Sequence, residues 1–265
     1  MLDLLPEYRD TEVKPPDDEH STYMVDGVEH ERVTSILDVI HKQALVPWAA
    51  GVAADSFAES VKVLLQAGTL SVDDLPSLRD MAAHSHEATR DRAASFGTRA
   101  HRAIEEYITS GVVPTDLTLV PILNAFEAWR TKENLTIEYT ERVVWNPNHQ
   151  YGGTIDAVAY RDGKPIVIDF KTGRSIYKEA GLQVAAYAYG IQATTGVPID
   201  EAWVVNIPRN QPKKGTGFTT RKIPQPILGE NFTTFLTALA LYKGMKRPVW
   251  VTRETKKQEA EEQEA

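Results

Sequence analysis

Two short runs rich in apolar and β-branched residues, Thr154–Tyr160 and Pro165–Lys171, flank the pair Asp162-Gly163. Asp-Gly between such runs predicts a two-residue β-hairpin loop. With Arg161 facing Lys164, the pairing runs outward from the loop and brings Asp156 opposite Asp169. That is a non-hydrogen-bonded position, where facing side chains stand closest. Lys171 lies two residues beyond Asp169 and points to the same face. The other face carries Ile155, Ala157, Ala159, Ile166, Ile168 and Phe170 and reads as core.

The same patterns divide the rest of the chain. Tyr23–Val33, with Asp26-Gly27 inside it, predicts a small hairpin, and Thr34 is placed to cap a helix over 35–42. Pro47 opens a helix that runs from Trp48 through Leu65 at near-3.6 spacing and ends at Gly68. Trp48 reads as a core anchor in preference to a base-stacking residue. Leu75 to Ile108 predicts a long helical stretch broken near Gly97, and Pro121–Lys132 a further amphipathic helix. Ile137–Trp145 alternates as a strand. Ser175–Thr195 predicts a helix with Ser175 as its cap and Gly196 as its stop. Two more strands, Ala202–Ile207 and Phe218–Ile223, precede a last helix over Asn231–Lys243. This order predicts an α/β fold, a central mixed sheet flanked by helices, with an N-terminal helical addition. The expected divisions are an acidic, poorly ordered N-terminus (1–20), a hairpin and helical region (21–133), a sheet-bearing core (134–252) and a charged tail (253–265).

Two facing carboxylates on an apolar hairpin repel each other, and something must neutralise them. A divalent cation with oxygen ligands does so, with Lys171 assisting. His101 and Glu105 are four residues apart on the predicted helix and share a face; the spacing alone reads as an exposed i,i+4 pair, with Glu105 placed to orient His101 or reach the site through water should that histidine ligate a metal. Glu141 on the preceding strand either points toward that centre or is solvated. His84 and His86 diverge by about 200° around a helix and read as surface residues.

The net charge of −8 is unevenly placed. Residues 1–30 hold nine acids and two bases, whereas residues 174–252 hold ten bases and four acids. A basic C-terminal third is compatible with a polyanionic substrate or with an ordinary solvated surface. Lys213, Lys214, Arg221 and Lys222 are the candidate contacts there. The absence of cysteine excludes disulfides, cysteine-zinc sites and an iron–sulfur cluster. No apolar run reaches membrane-spanning length and no signal peptide is visible, so a soluble intracellular protein is expected.

Four short motifs occur in order: Gly-Thr-x-x-His at Gly97–His101, Gly-x-x-Asp at Gly153–Asp156, Asp-x-Lys at Asp169–Lys171 and Gln-x-x-x-Tyr at Gln183–Tyr187. Together they resemble the RecB-type branch of the PD-(D/E)XK (restriction-endonuclease-like) nuclease superfamily, over about Phe96 to Pro208. Similar members include phage exonucleases, the mitochondrial genome maintenance exonuclease and CRISPR-associated RecB-like exonucleases. The resemblance makes residues 134–252 a nuclease core. It implies hydrolysis of DNA phosphodiesters from an end, in recombination, repair or replication, with one or two Mg²⁺ or Mn²⁺ ions. His101, Asp156, Asp169 and the Phe170 carbonyl would hold the metal, and Lys171 would act in the chemistry. Gln183 and Tyr187 would contact substrate or the surroundings of the metal. The implied partners are DNA, single-stranded or with ends, and a recombinase or single-strand-annealing protein. The implied location is the cytoplasm of a bacterial or phage-infected cell. A structure-selective endonuclease and an inactive DNA-binding subunit are the alternatives.

Overall fold

The structure is a computed structural model that describes residues 11–17, 21–40, 45–212 and 215–247. Its strands are β1 (Val13–Lys14), β2 (Tyr23–Val25), β3 (Val28–Arg32), β4 (Thr136–Asn146), β5 (Tyr151–Arg161), β6 (Lys164–Lys171), β7 (Glu201–Asn206) and β8 (Thr219–Pro224). Its α-helices are α1 (Val33–Leu37), α2 (Leu45–Ala67), α3 (Leu75–Ala83), α4 (Ser85–Ser110), α5 (Val120–Glu133), α6 (Lys178–Thr195) and α7 (Ile227–Met245). No helix among the described residues is long and apolar enough to cross a membrane.

All the strands join one mixed sheet, in the order β1-β2-β3-β5-β6-β7-β8, with β4 pairing β5 off this path. The β5–β6 hairpin has the expected register, from Arg161↔Lys164 to Ala157↔Ile168. Asp162 and Gly163, at φ +52° and +77°, supply the left-handed pair that a tight hairpin of this twist requires. Strand β7 lies parallel to β6, with Asp169↔Val204 and Lys171↔Asn206 as partners.

Strand β5 is the organising element. One edge pairs with β4 along nearly its whole length, Thr136↔Tyr160 to Asn146↔Tyr151. The other edge is shared. Strand β6 takes Ala157–Arg161, and β3, running parallel, takes only Tyr151 and Gly152. Residues Gly153 to Asp156 lie between the two partners, where the sheet opens.

A core fills each face of the sheet. On one side α1, α6 and α7 pack over Tyr151, Ile155, Val158, Val167 and Val204. On the other, α4 and α5 pack over Ala157, Ala159, Ile166, Ile168, Phe170 and Trp203. Burial on both faces explains why these strands read as nearly continuous apolar runs. Ile155 departs from the expected alternation. It lies in the α6–α7 core and not beside Ala157, so the pleat is interrupted at Asp156.

Several boundaries differ from the sequence reading. The long helical stretch breaks at His84, which ends α3 and begins α4. It does not break at Gly97, where a Cβ would meet only Thr172 Oγ1 at 3.4 Å. Helix α1 starts directly after β3 with Arg32 at its N-cap, so Thr34 lies inside it. Helix α6 starts after Tyr177, and Ser175 caps nothing. Val13 and Lys14 pair with β2, although they fall in the segment expected to be poorly ordered. Helix α2 buries no residue fully, and Trp48 on it is half-buried and belongs to neither core. Its main packing is against α3 and α4.

Candidate active site

The opening beside Gly153–Asp156 is the wall of a cleft of about 590 Å³. Helix α4 crosses it, because Phe96, Ala100, Ala103 and Ile104 bury one stripe of the helix against α5 and the sheet. That docking turns the adjacent His101 and Glu105 toward β5. The other cleft residues include Tyr23, Arg32 and Thr34 from the N-terminal hairpin and the start of α1, and Gln183 and Tyr187 from α6.

Asp156 stands at the centre. The register would pair it with Asp169, but the ladder between β5 and β6 ends one residue earlier, at Ala157↔Ile168. Asp156 Oδ2 instead accepts the backbone N–H of Phe170 at 2.6 Å. Its other oxygen, Oδ1, lies 3.3 Å from His101 Nδ1. A side chain thus takes over a ladder hydrogen bond, and the two strands separate at the point where both carboxylates are needed.

Asp169 is buried behind Asp156, at 1% exposure. Lys171 Nζ donates to its Oδ1 at 3.0 Å and lies 2.7 Å from its Oδ2. The same ammonium donates to Gln183 Oε1 at 3.1 Å, and Gln183 Nε2 donates to the Tyr187 hydroxyl at 2.8 Å. A continuous chain Asp169–Lys171–Gln183–Tyr187 therefore fixes the lysine. It is charge-assisted at one end and held by a buried tyrosine at the other.

Glu141 lies across β4 from Asp156, between the partners Thr140↔Ala157 and Arg142↔Ile155. The ligand atoms of His101, Glu141 and Asp156 all lie within 4.8 Å of one another. An imidazole nitrogen with two carboxylates, and a third carboxylate behind them, is a donor set that suits a hard or borderline divalent cation. The charges agree with this. Burial disfavours the His101 imidazolium, but the carboxylates of Asp156 and Asp169 outweigh it and raise its pKa to about 9. Glu141 is exposed on the cleft wall, but partial desolvation of its carboxylate and the nearby Asp156 push it up to about 7, against the pull of His101. Burial also raises Asp169, against the pull of Lys171. Asp156 is held below the ordinary carboxylate value: burial opposes its charge, but His101, Lys171 and the Phe170 N–H prevail. His101 and Lys171 offset two of the three carboxylates of Asp156, Asp169 and Glu141, and a bound cation would relieve the repulsion that remains.

The sequence candidates divide clearly. His101, Glu105, Glu141, Asp156, Gln183 and Tyr187 line the cleft, and Asp169 and Lys171 adjoin it, Lys171 through its hydrogen bond to Gln183. The Phe170 side chain packs edge-on against Phe126 and Trp129. Arg221 and Lys222 do not reach the cleft. They sit on β8 opposite Val204 and Trp203, and Lys222 is committed to Glu133 at 2.7 Å and to the Trp203 ring. Lys213 and Lys214 lie outside the described residues. Tyr107 packs edge-on against Phe126. Tyr23, Arg32 and Thr34 carry no sequence signal for this site. Tyr23 lies against Gly152, and its hydroxyl bonds Thr154 Oγ1 at 2.9 Å.

A mixed sheet whose central hairpin splays presents an aspartate beside an Asp-x-Lys strand, under a histidine-bearing helix, and so gathers the four sequence motifs at one cleft. The family model of the PD-(D/E)XK nuclease superfamily matches residues 76–263, and the chain belongs to that superfamily. Solved structures similar to it include LHK-Exo in complex with dAMP, at 13% identity over 82% of this chain and 89% of that one, with a TM-score of 0.40. Another is the alkaline exonuclease LHK-Exo from Laribacter hongkongensis, at 12% identity over 56% of this chain and 90% of that one, with a TM-score of 0.29. A phage-related exonuclease from Haemophilus somnus 129PT matches at 14% identity over 54% of this chain and 79% of that one, with a TM-score of 0.32. No curated protein sequence matches the chain significantly.

Proposed function

We propose that the protein is a metal-dependent deoxyribonuclease that degrades DNA from an end. The observation that carries this reading is the convergence of His101, Asp156, Asp169 and Lys171 where β5 passes from one partner strand to the other. His101, Asp156 and Asp169, with the Phe170 carbonyl, would hold one or two Mg²⁺ or Mn²⁺ ions. Such ions lower the pKa of water and neutralise charge that builds up on a phosphate under attack. Asp156 and His101 present their donors on the cleft wall. Lys171, held by Asp169 and Gln183, offers its ammonium to the attacking water or to the phosphate oxygen. No side chain needs to act as a covalent nucleophile.

End selectivity is supported by how the cleft is walled. The N-terminal hairpin closes one side through Tyr23, and α4 crosses another. The cover thus comes from the hairpin and α4. A walled cleft admits a strand end and excludes continuous duplex. Linear DNA should be consumed in Mg²⁺ or Mn²⁺ and spared in EDTA, while closed circles of the same sequence resist. Rapid nicking or linearisation of circles would replace this reading with an endonuclease. No cleavage of any DNA would leave a binding subunit.

A further inference from the structure

Glu141 is the one non-glycine residue within a described strand that has a positive φ, at +48°. Left-handed backbone is costly for any residue with a Cβ, and strands avoid it. It also does not serve a turn here. The β4–β5 register is the same on both sides of it, Thr140↔Ala157 before and Arg142↔Ile155 after, so the two strands stay in step. The distortion sits directly across from Asp156, where the pleat of β5 also changes face. Its effect is to place the Glu141 carboxylate on the cleft wall, within 4.8 Å of both Asp156 and His101. Among the described residues that carboxylate has no ion-pair partner and no hydrogen-bond donor, although Arg32 and Arg102 line the same cleft. A side chain aimed by a distorted backbone at another carboxylate, with no hydrogen bond or ion pair of its own, is arranged for a ligand that arrives separately.

We propose that Glu141 is a direct cation ligand, completing with His101 and Asp156 a binding position on the open side of the site, away from Asp169 and Lys171. This rests on the nuclease reading and extends it, since none of the four sequence motifs that define the site contains a residue of β4. Asp156 then serves two directions. Oδ2 is occupied by the Phe170 N–H, and Oδ1 faces His101 and Glu141. The strained residue 141 is the price of bringing a third donor from a strand that otherwise only supports β5.

The test is equilibrium binding of Mn²⁺ alone, by calorimetry and by the paramagnetic resonance of free Mn²⁺, to the full chain and to Glu141→Gln, Glu141→Gly and Asp156→Asn. Glutamine keeps the shape and removes the charge, while glycine also removes the backbone strain. Both should weaken Mn²⁺ binding at least tenfold or remove one equivalent. The metal-free melting temperature should be unchanged or raised for glutamine and raised for glycine. Should Glu141→Gln bind Mn²⁺ with wild-type affinity and stoichiometry while Asp156→Asn does not, Glu141 is no ligand and the nuclease reading stands. Should the wild type bind no Mn²⁺ at all, both fall. A glycine variant that melts higher but keeps full Mn²⁺ affinity would reduce the distortion to local geometry and overturn the proposal.

Discussion

The ring of Tyr187 occupies the space that a side chain on Gly153 would need. A Cβ built on Gly153 would overlap Tyr187 Cε1 and lie 3.2 Å from Cδ1 and 3.3 Å from Cζ. This contact joins two of the sequence motifs physically. The glycine of Gly-x-x-Asp is the seat for the tyrosine of Gln-x-x-x-Tyr. One helical turn back from that tyrosine, Gln183 holds Lys171. The placement of the lysine therefore traces to a missing methyl group on β5.

Gly153→Ala should lower stability by about 1–3 kcal/mol, the usual cost of overpacking a tight site. It should also slow cleavage, because Tyr187 is 3% exposed and has nowhere to go without moving Gln183. Thermal melting and initial rates check both effects. An alanine variant with the wild-type melting temperature and rate would show that the α6–β5 contact is looser than described.

Lys171→Ala should reduce the cleavage rate by about a hundredfold or more while DNA affinity changes little. The lysine is tied to Asp169 and Gln183, within the site and not on an outer rim. Asp169→Asn should lose activity at least as severely. Comparing single-turnover rates with binding in EDTA separates the cases. A fall in affinity as large as the fall in rate would make Lys171 a phosphate anchor.

Without metal, stability should decline as pH rises from mildly acidic to alkaline. His101 has a folded pKa of about 9 against an ordinary 6.5, so its stabilising charge is present below 6.5 and disappears between 6.5 and 9. Glu141, raised from 4.5 to about 7, and Asp169, raised by burial, have the same sign. For an acid with a raised pKa, ionisation on the way up in pH costs folded-state stability. Melting in EDTA across this range should show the decline, and Mn²⁺ should flatten it. A metal-free melting temperature that rises from pH 6 to 9 would contradict this balance of charges.

Replacing Lys213 and Lys214 by Ala should flatten the salt dependence of DNA binding by about one unit for each phosphate left unneutralised. The basic composition of residues 174–252 motivates this, since Arg221 and Lys222 stand apart from the cleft. An unchanged slope would mark the two lysines as solvated surface.

The hairpin was legible because a two-residue Asp-Gly loop fixes register locally, and register fixes which side chains share a face. Counting along the ladder nevertheless overshot at Asp156. It assumes that both strands continue, and cannot foresee a carboxylate that captures the next N–H. The role of Tyr23 was not readable at all. Its contact with Thr154 spans more than a hundred residues and exists only because β3 finds the free end of β5. Glu141 was half-legible. Alternation placed it on a strand beside the site, but an irregularity between Ile137 and Tyr139 shifts the register, and no local signal marks a glutamate for left-handed backbone. Gly97 misled in the opposite direction: glycine weakens a helix without ending it, and the flanking helix, pinned by Phe96 and Ala100, runs through.

The divided edge of β5 bears on how this chain could be shortened. A fragment starting at residue 76, where the family model begins, would keep every motif residue and drop β1, β2 and β3. Residues Tyr151 and Gly152 would then present unsatisfied backbone groups beside an apolar surface from which the Tyr23 ring had been removed. Such a bare strand end invites pairing with a second chain. A piece cut at the boundary drawn by sequence similarity should therefore associate, and one that keeps the N-terminal hairpin should stay monodisperse.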